Sequence, residues 1–94
     1  MPKIRASHIL VKTEDEALSL LNDIKEGKIS FEDAAMENSK CPSGRNGGDL
    51  GFFGRGVMVK PFEDAAFSLE EGELSGPVET QFGWHLIKLT GKKD

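Results

Sequence analysis

Residues 41–67 read CPSGRNGGDLGFFGRGVMVKPFEDAAF, and they include the chain's only cysteine, six of its 11 glycines and four of its six phenylalanines. Glycine allows tight turns and close backbone approaches that other residues resist, and here glycines flank a short apolar run at residues 50–53. Pro61 suits the first turn of a helix. The stretch therefore predicts a loop, a short strand, a second loop and a helix. With a thiol at one end and Met58 and Phe62 at the other, it is typical of a loop-built apolar pocket with one polar group at its rim.

The residues before this stretch carry the start and stop signals of one strand and two helices. Residues 4–11 alternate loosely between apolar and polar side chains, which predicts a strand. Thr13 and Glu16 form a capping box, which predicts a helix that Gly27 ends with a left-handed cap. Ser30 repeats the start signal and predicts a second, shorter helix.

The residues after this stretch complete a sheet. Apolar side chains recur at helical spacing over residues 62–69, which predicts a helix that Gly72 ends. Residues 77–80 and 84–90 are predicted to form two strands joined by a turn. Alternation along the last strand places His85 on one face and the tryptophan beside it on the other.

Length and composition limit the class of protein. A chain of 94 residues predicts a single domain, residues 1–94, and strands at both ends with helices between them predict an α+β fold. No apolar run reaches the length of about 18 residues that a membrane-spanning helix needs, and residues 1–12 lack the apolar segment of a secretory signal. A lone cysteine gives no disulfide framework and suits a reducing compartment, so we expect a cytoplasmic protein.

The charge pattern bears on partners. A net charge of −4 and a pI of about 5.2 argue against a general nucleic-acid binder, whose footprint is usually basic. Basic side chains do gather on or next to the first and last strands: Lys3, Arg5, Lys88, Lys92 and Lys93. If these strands are neighbours, the side chains form a basic patch. Its simpler interpretation is a solvated edge that discourages aggregation, and the sharper one is a weak contact with anionic surfaces.

Three reactive side chains, His8, Cys41 and His85, allow several chemistries. A thiol protease would pair Cys41 with a histidine base, but no protease motif surrounds the cysteine. A zinc site would use all three with a fourth ligand or water, but the spacing matches no metal-binding pattern. We therefore expect neither a metal nor a cofactor. A histidine in the middle of a strand is also more often a structural group than a catalyst.

Six short segments occur in an order and spacing that is highly specific as a set. They are SHILVK at 7–12, GDLG at 48–51, Gly56 with Met58, KPFEDA at 60–65 followed by Phe67, GPV at 76–78, and FGWHLI at 82–87. In this arrangement the chain resembles a parvulin-type peptidyl-prolyl cis/trans isomerase, or rotamase, over nearly its whole length. The resemblance implies a four-stranded antiparallel sheet wrapped by about four helices, in the FKBP-like order β-α3-β-α-β2.

The resemblance also implies two groups of site residues. One group lines a pocket for the proline ring: Leu50, Met58, Phe62 and Phe82. The other is a hydrogen-bonded cluster of catalytic polar groups beside that pocket: His8, Cys41, Thr80 and His85. The expected activity is isomerisation of X–Pro bonds in peptides and in unfolded or partly folded proteins, by a monomer that assists folding.

Some roles stay open at this point. Cys41 either attacks the carbonyl or only polarises the site, and relatives with aspartate at this place favour the second role. The two histidines either take a direct part in catalysis or chiefly hold the sheet and the cysteine in place. A peptide-holding chaperone would use the same groove without catalysis. An interaction domain attached to larger machinery is a third alternative, since the basic patch and the helix surfaces have no assigned role.

Phosphate-directed parvulins carry a basic loop between the first strand and the first helix. Here Lys12 leads directly to the capping box, and the residues that follow it are Glu14, Asp15 and Glu16. One lysine cannot clamp a phosphate that three carboxylates repel. We therefore expect no preference for phosphoserine or phosphothreonine before the proline.

Overall fold

The computed structural model describes residues 2–93, which form one sheet and four helical segments. Their order is β1 (Lys3–Val11), α1 (Glu14–Lys25), α2 (Phe31–Asn38), a 3₁₀ helix (Pro42–Asn46), β2 (Asp49–Phe53), α3 (Lys60–Phe67), β3 (Val78–Thr80) and β4 (Gly83–Lys93). All strand pairs are antiparallel, and the strands lie in the order β2-β1-β4-β3. This confirms the predicted α+β fold and the expected order of elements.

The centre of the sheet is the long pair β1 and β4. It runs from Lys3 opposite Lys93 to Val11 opposite Trp84, with one bulge after Arg5. β2 pairs with the first half of β1, and β3 pairs with the start of β4. The two long strands carry buried side chains on both faces in their middle parts, from Ala6 to Ile9 and from His85 to Ile87, whereas their paired outer ends at Lys3 and Lys93 are exposed.

A separate hydrophobic core covers each face of the sheet. One face packs under α3, and its buried side chains are Ile4, Ala6, Phe53, Phe62, Ala66, Leu69, Ile87 and Leu89. The other packs under α1 and α2, and its buried side chains are Ile9, Val11, Ala17, Leu21, Phe31, Ala34, Ala35 and Leu86. Trp84 packs against this second core, on the face opposite His85, as strand alternation predicts.

Side chains at the predicted positions cap the first two helices. The Thr13 hydroxyl accepts a hydrogen bond from the Glu16 amide at 3.2 Å, and the Ser30 hydroxyl accepts one from the Asp33 amide at 3.0 Å. The predicted capping box is only half formed, because the Glu16 carboxylate accepts a hydrogen bond from the Thr13 hydroxyl and not from the Thr13 amide. Gly27 follows α1 with a φ of +76°, so the predicted left-handed stop is confirmed.

Gly48 brings the loop before β2 against β1. Its φ is +87°, and a Cβ there would collide with the carbonyl oxygen of His8, so only glycine fits. In return the Gly48 carbonyl accepts the His8 amide at 3.0 Å. The contact fixes the backbone of His8 and places β2 beside it.

The prediction that α3 extends to Gly72 is wrong, because α3 ends at Phe67. The Ser68 hydroxyl donates to the carbonyls of Asp64 and Ala65 and so takes over acceptors at the helix end. The amide of Gly72 instead donates to the Leu89 carbonyl on β4 at 2.7 Å. β4 also continues three residues past the predicted end at residue 90, since it pairs with the start of β1.

β1 and β4 are neighbours, as the basic patch requires, but acids neutralise much of its charge. Arg5 donates two hydrogen bonds to Asp49, at 3.1 and 2.6 Å. Lys88 and Lys92 lie 3.9 and 3.3 Å from the carboxylates of Glu32 and Glu70. Within the part of the chain that the structure describes, no helix is long and apolar enough to cross a bilayer.

Candidate active site

A pocket of about 500 Å³ opens on the face of the sheet that α3 covers. Its walls come from β1, β2, β4, α3, the loops on either side of β2 and the turn between β3 and β4. The lining residues are His8, Leu10, Lys40, Cys41, Pro42, Leu50, Val57, Met58, Val59, Phe62, Phe82 and His85. The structure thus brings together every predicted site residue except Thr80, which lies behind His85.

The floor of the pocket is apolar. Phe62 is buried, with 3% of its surface exposed, and Leu50 and Met58 are partly buried against the same core. The ring of Phe62 meets both imidazoles edge to face, with centroids 5.4 Å from His8 and 5.2 Å from His85. These side chains form an apolar cup that can receive a five-membered ring. Phe82 forms the exposed rim.

The register of the central strands brings the two histidines together. His8 lies opposite Ile87 and Leu10 lies opposite His85, so the two histidines are diagonal neighbours on one face of the sheet. Their Nδ1 atoms are 2.9 Å apart, and the rings stack with an interplanar angle of 16°. The strand pairing alone therefore fixes the contact between the imidazoles.

Thr80 extends this contact into a hydrogen-bonded chain. Its Oγ1 lies 2.7 Å from His85 Nε2 and accepts the Phe82 amide at 3.1 Å. Each neutral imidazole carries one proton. If Thr80 donates to His85, then His85 donates to His8 and the proton of His8 sits on Nε2; the opposite order reverses both bonds. The three side chains thus share one direction of hydrogen bonding.

Both imidazoles are uncharged at neutral pH. Burial is the main cause that lowers the pKa of His8 from 6.5 to about 4, and the neighbouring His85 lowers it further. Burial also lowers the pKa of His85 to about 4. His8 Nε2 is buried and has no hydrogen-bond partner within residues 2–93. The pocket therefore presents fixed dipoles to a substrate and no histidine charge.

The expectation that Cys41 joins the hydrogen-bonded cluster is wrong. Its thiol lies on the pocket wall, but its sulfur accepts the Ser43 hydroxyl at 3.2 Å. No histidine is its hydrogen-bond partner in the described part of the chain. The 3₁₀ helix begins at Pro42 and turns Ser43 back onto the sulfur. Among the same residues, no three His, Cys, Asp or Glu side chains come close enough to hold a metal ion.

Sequence reasoning missed a buried acid that holds the Met58 loop. Glu63, only 7% exposed, accepts the Gly56 amide at 2.6 Å and the Arg55 guanidinium at 3.3 Å. The guanidinium in turn covers the ring of Phe67 at 4.4 Å. In the sequence, an acid in the first turn of a helix looks like an ordinary partner of the helix dipole. Its position directly after Phe62 was the only hint of another role.

Replacing Glu63 with Ala is expected to raise the KM for a proline peptide by roughly three- to tenfold, because a bond to a charged group worth about 1.5–3 kcal/mol is lost and about half of this energy is expected to act on substrate binding through the Met58 loop. Glu63→Gln keeps an acceptor for the Gly56 amide and is expected to restore most of the affinity. Steady-state kinetics separates KM from kcat. Glu70→Ala, which removes an exposed acid, serves as the control, and an unchanged KM in Glu63→Ala would show that the loop is held without this contact.

The comparison with protein families decides the identity of this site. The family model described as "Rotamase: PPIC-type PPIASE domain" matches residues 7–91. The chain belongs to the PPIC-type peptidyl-prolyl isomerase family. This confirms the resemblance on which the predicted pocket rests, and the chain carries a PPIC-type isomerase domain.

Known members of the family align along this PPIC-type domain. The chain is 51% identical over 94 residues to the foldase protein PrsA of Geobacillus sp. (strain WCH70), in a match that covers 99% of this chain and 34% of PrsA. It therefore spans about a third of the length of that relative. It is 42% identical to the peptidyl-prolyl cis-trans isomerase Pin1 of Digitalis lanata, with 95% of this chain and 97% of Pin1 covered.

Solved structures support the same fold for this PPIC-type domain. The solution structure of NmPin, the parvulin of Nitrosopumilus maritimus, superimposes with a TM-score of 0.86 at 47% identity. The match covers 97% of this chain and 98% of NmPin. Because nearly the whole of both chains is aligned, the sheet and helices described above are those of a parvulin.

Proposed function

We propose that this chain catalyses cis/trans isomerisation of X–Pro bonds in peptides and in unfolded or partly folded proteins, without a covalent step. The observation that carries the proposal is the apolar cup of Leu50, Met58 and Phe62 directly against the neutral pair His8 and His85. Membership of an isomerase family supports the same conclusion. Assistance to protein folding follows, since slow X–Pro isomerisation limits folding rates.

The chemistry needs only a change of environment. Amide resonance sets a rotation barrier of about 18–20 kcal/mol. The twisted transition state loses this resonance, so its carbonyl is less polar than that of the planar amide. A dry apolar cup disfavours the planar form more than the twisted form, which is preferential binding of the transition state. A gain of about 4–7 kcal/mol corresponds to an acceleration of roughly 10³–10⁵-fold.

The hydrogen-bonded chain Thr80–His85–His8 supplies a fixed field beside the cup. Preorganised dipoles in a site without water stabilise a changing charge distribution at no cost of reorientation. Because the imidazoles are neutral, they do not draw a hydration shell into the cup. We assign them to polarising and shaping the pocket.

The test is cis/trans exchange in a peptide such as Ala-Leu-Pro-Phe, measured by protease-coupled cleavage of the trans form. An isomerase accelerates the slow phase in proportion to its concentration. A chaperone that only holds peptides suppresses aggregation of an unfolded protein but leaves the slow phase unchanged. No acceleration of any proline peptide would overturn the proposal.

We predict that Cys41→Asp keeps much of the activity and that Cys41→Ala keeps less. A nucleophilic thiol needs a neighbouring base, whereas Cys41 has the Ser43 hydroxyl as its partner. An aspartate preserves an acceptor for this hydroxyl and a polar atom on the pocket wall. The kcat/KM of the two variants distinguishes the roles, and complete loss of activity in a folded Cys41→Asp variant would contradict the prediction and favour covalent catalysis.

We also propose that phosphorylation before the proline gives no advantage. Lys12 is exposed at the end of β1, and the first turn of α1 that follows carries three exposed acids. Matched peptides with Ser or phosphoserine before the proline are expected to show equal kcat/KM or a lower value for the phosphopeptide. Faster turnover of the phosphopeptide would refute this.

Cytoplasmic location and a monomeric state remain our proposals for the chain. A weak contact with anionic surfaces through the basic patch is a proposal too, and the pairing of Arg5, Lys88 and Lys92 with acids limits its strength. Light scattering after size exclusion measures the mass of the particle. Co-sedimentation with anionic vesicles at low salt measures the surface contact.

A further inference from the structure

A second cavity of about 310 Å³ adjoins the proline pocket. It lies between the end of α2 and the 3₁₀ helix, and its lining residues are Met36, Ser39, Lys40, Cys41, Pro42, Gly44 and Arg45. Three of them, Lys40, Cys41 and Pro42, also line the proline pocket. The two cavities therefore lie on either side of residues 40–42, and we call the two cavities with the rim between them the groove.

The groove has an unusual balance of charge for this acidic chain. Its linings include two cations, Lys40 and Arg45, and no carboxylate. The other two cavities both include Glu32 in their walls. The ion pairs found within residues 2–93 use other cations, such as Arg5, Arg55 and Lys60. The two groove cations are thus left available to a ligand.

We propose that this groove is a subsite for an acidic side chain of the substrate, Asp or Glu. The acidic residue stands two positions away from the proline in the substrate sequence. The proposal rests on the proposed isomerase function and names a class of preferred substrate. Cys41 and Pro42 line both cavities, so a peptide whose proline occupies the cup and whose chain leaves over these two residues enters the second cavity. An extended peptide advances about 3.3 Å per residue, and this path leads toward the long cationic side chains of Lys40 and Arg45.

The remaining lining suits a short acid on an aliphatic stem. Met36 is 56% exposed and offers a flexible apolar surface to methylene groups. Lys40 and Arg45 are exposed and line the groove, and side chains of this kind keep their charged heads in water while their stems cover apolar surface. Exposed ion pairs are weak and screened by salt, so the expected preference is modest: roughly two- to tenfold in kcat/KM at low ionic strength. It is expected to vanish at about 1 M salt, where the screening length is about 3 Å.

The experiment compares blocked peptides that differ only in Glu or Gln, placed two residues before or two residues after the proline. Cis/trans exchange measured by NMR needs no coupling protease, so the added charge affects the isomerase alone. At low salt, Glu is expected to exceed Gln in kcat/KM at one of the two positions. Equal values for Glu and Gln at both positions would overturn the proposal.

Two variants tie the preference to the groove. In Lys40→Gln/Arg45→Gln, the ratio of Glu to Gln turnover is expected to fall to about one. In Lys40→Glu/Arg45→Glu, peptides with Lys in place of Glu are expected to become the better substrates. The control Lys25→Gln/Lys28→Gln removes the same charge elsewhere and is expected to keep the ratio of the unmodified protein.

The outcomes separate this proposal from the function on which it rests. A Glu preference that persists in Lys40→Gln/Arg45→Gln would assign the acidic subsite to other residues and overturn the proposal. Equal turnover of Glu and Gln peptides, both well above the uncatalysed rate, would also overturn it and leave the isomerase function intact. Absence of turnover for both peptides would instead refute the isomerase function itself.

Discussion

Acidification from pH 7 to pH 4 is expected to lower the free energy of unfolding by several kcal/mol, because His8 and His85 are buried as neutral imidazoles. Their pKa is about 4 in the folded chain, against 6.5 for a histidine exposed to water. The unfolded chain therefore binds protons first. Stability is complete above pH 6.5 and falls with the pH toward 4, by at most about 3 kcal/mol for each histidine. Against a typical total of about 5–15 kcal/mol, this loss is large.

Urea denaturation at intervals between pH 7 and pH 4 measures this loss. In His8→Leu, one titrating imidazole is gone, so the slope of stability against pH is expected to be about half that of the unmodified chain. The Arg5–Asp49 pair titrates in a different window, because its hydrogen bond lowers the pKa of Asp49 below 3.8. A flat profile between pH 6.5 and pH 4.5 would contradict the neutral buried pair.

His8→Leu also separates the two roles of the histidines. If the pair chiefly holds the sheet together, the variant loses stability and activity together. If His8 takes a direct part in catalysis, kcat falls at a temperature where the variant is fully folded. His8 is only 6% exposed, and its Nδ1 contacts the Nδ1 of His85 across β1 and β4. We therefore expect His8→Leu to change the free energy of unfolding measured at equilibrium.

Local signals in the sequence account for most of the secondary structure. Thr13, Ser30 and Gly27 act on the backbone within a few residues of themselves, so both ends of α1 and the start of α2 can be predicted from the sequence. The end of α3 was not readable in this way. The helix ends at Phe67, where the Ser68 hydroxyl takes over the last carbonyls, and Gly72, which resembles a helix stop in the sequence, instead donates its amide to Leu89 on β4.

The sequence predicted the site only in part, because several of its contacts join segments that are far apart in the chain. The apolar cup came from a family resemblance, and the structure places Leu50, Met58 and Phe62 in one pocket. The contact between His8 and His85 depends on the register of strands 77 residues apart, which no local pattern sets. The partner of Cys41 and the burial of Glu63 depend on how two loops fold back, and the sequence showed neither.

Phe62→Ala is expected to cause the largest combined loss of stability and activity. The ring is buried, contacts both imidazoles edge to face and packs 6.3 Å from Phe53. Removing a buried phenylalanine costs about 3–5 kcal/mol. The cavity left behind lies under the proline cup, so water gains access to the amide and to the imidazoles. We expect kcat/KM to fall by at least tenfold, which corresponds to about 1.4 kcal/mol of transition-state stabilisation.

Phe31→Ala is the matched control, since Phe31 is also 3% exposed but lies in the core under α1 and α2. Both variants are expected to unfold at lower urea concentrations than the unmodified chain. Only Phe62→Ala is expected to lose kcat/KM below its unfolding transition. Phe62→Leu keeps most of the buried volume and allows the same measurement if the alanine variant does not fold.

Phe62→Ala also links the two largest predicted effects. The pKa values near 4 arise mainly from burial, and the Phe62 ring is part of what buries the imidazoles. Hydration of the cavity is therefore expected to raise the histidine pKa values toward 6.5, whereas Phe31→Ala leaves them near 4. NMR titration of the imidazole protons measures this directly. Unchanged pKa values in a folded Phe62→Ala variant would mean that the strands alone exclude water, and the apolar cup would lose its role in keeping the pair neutral.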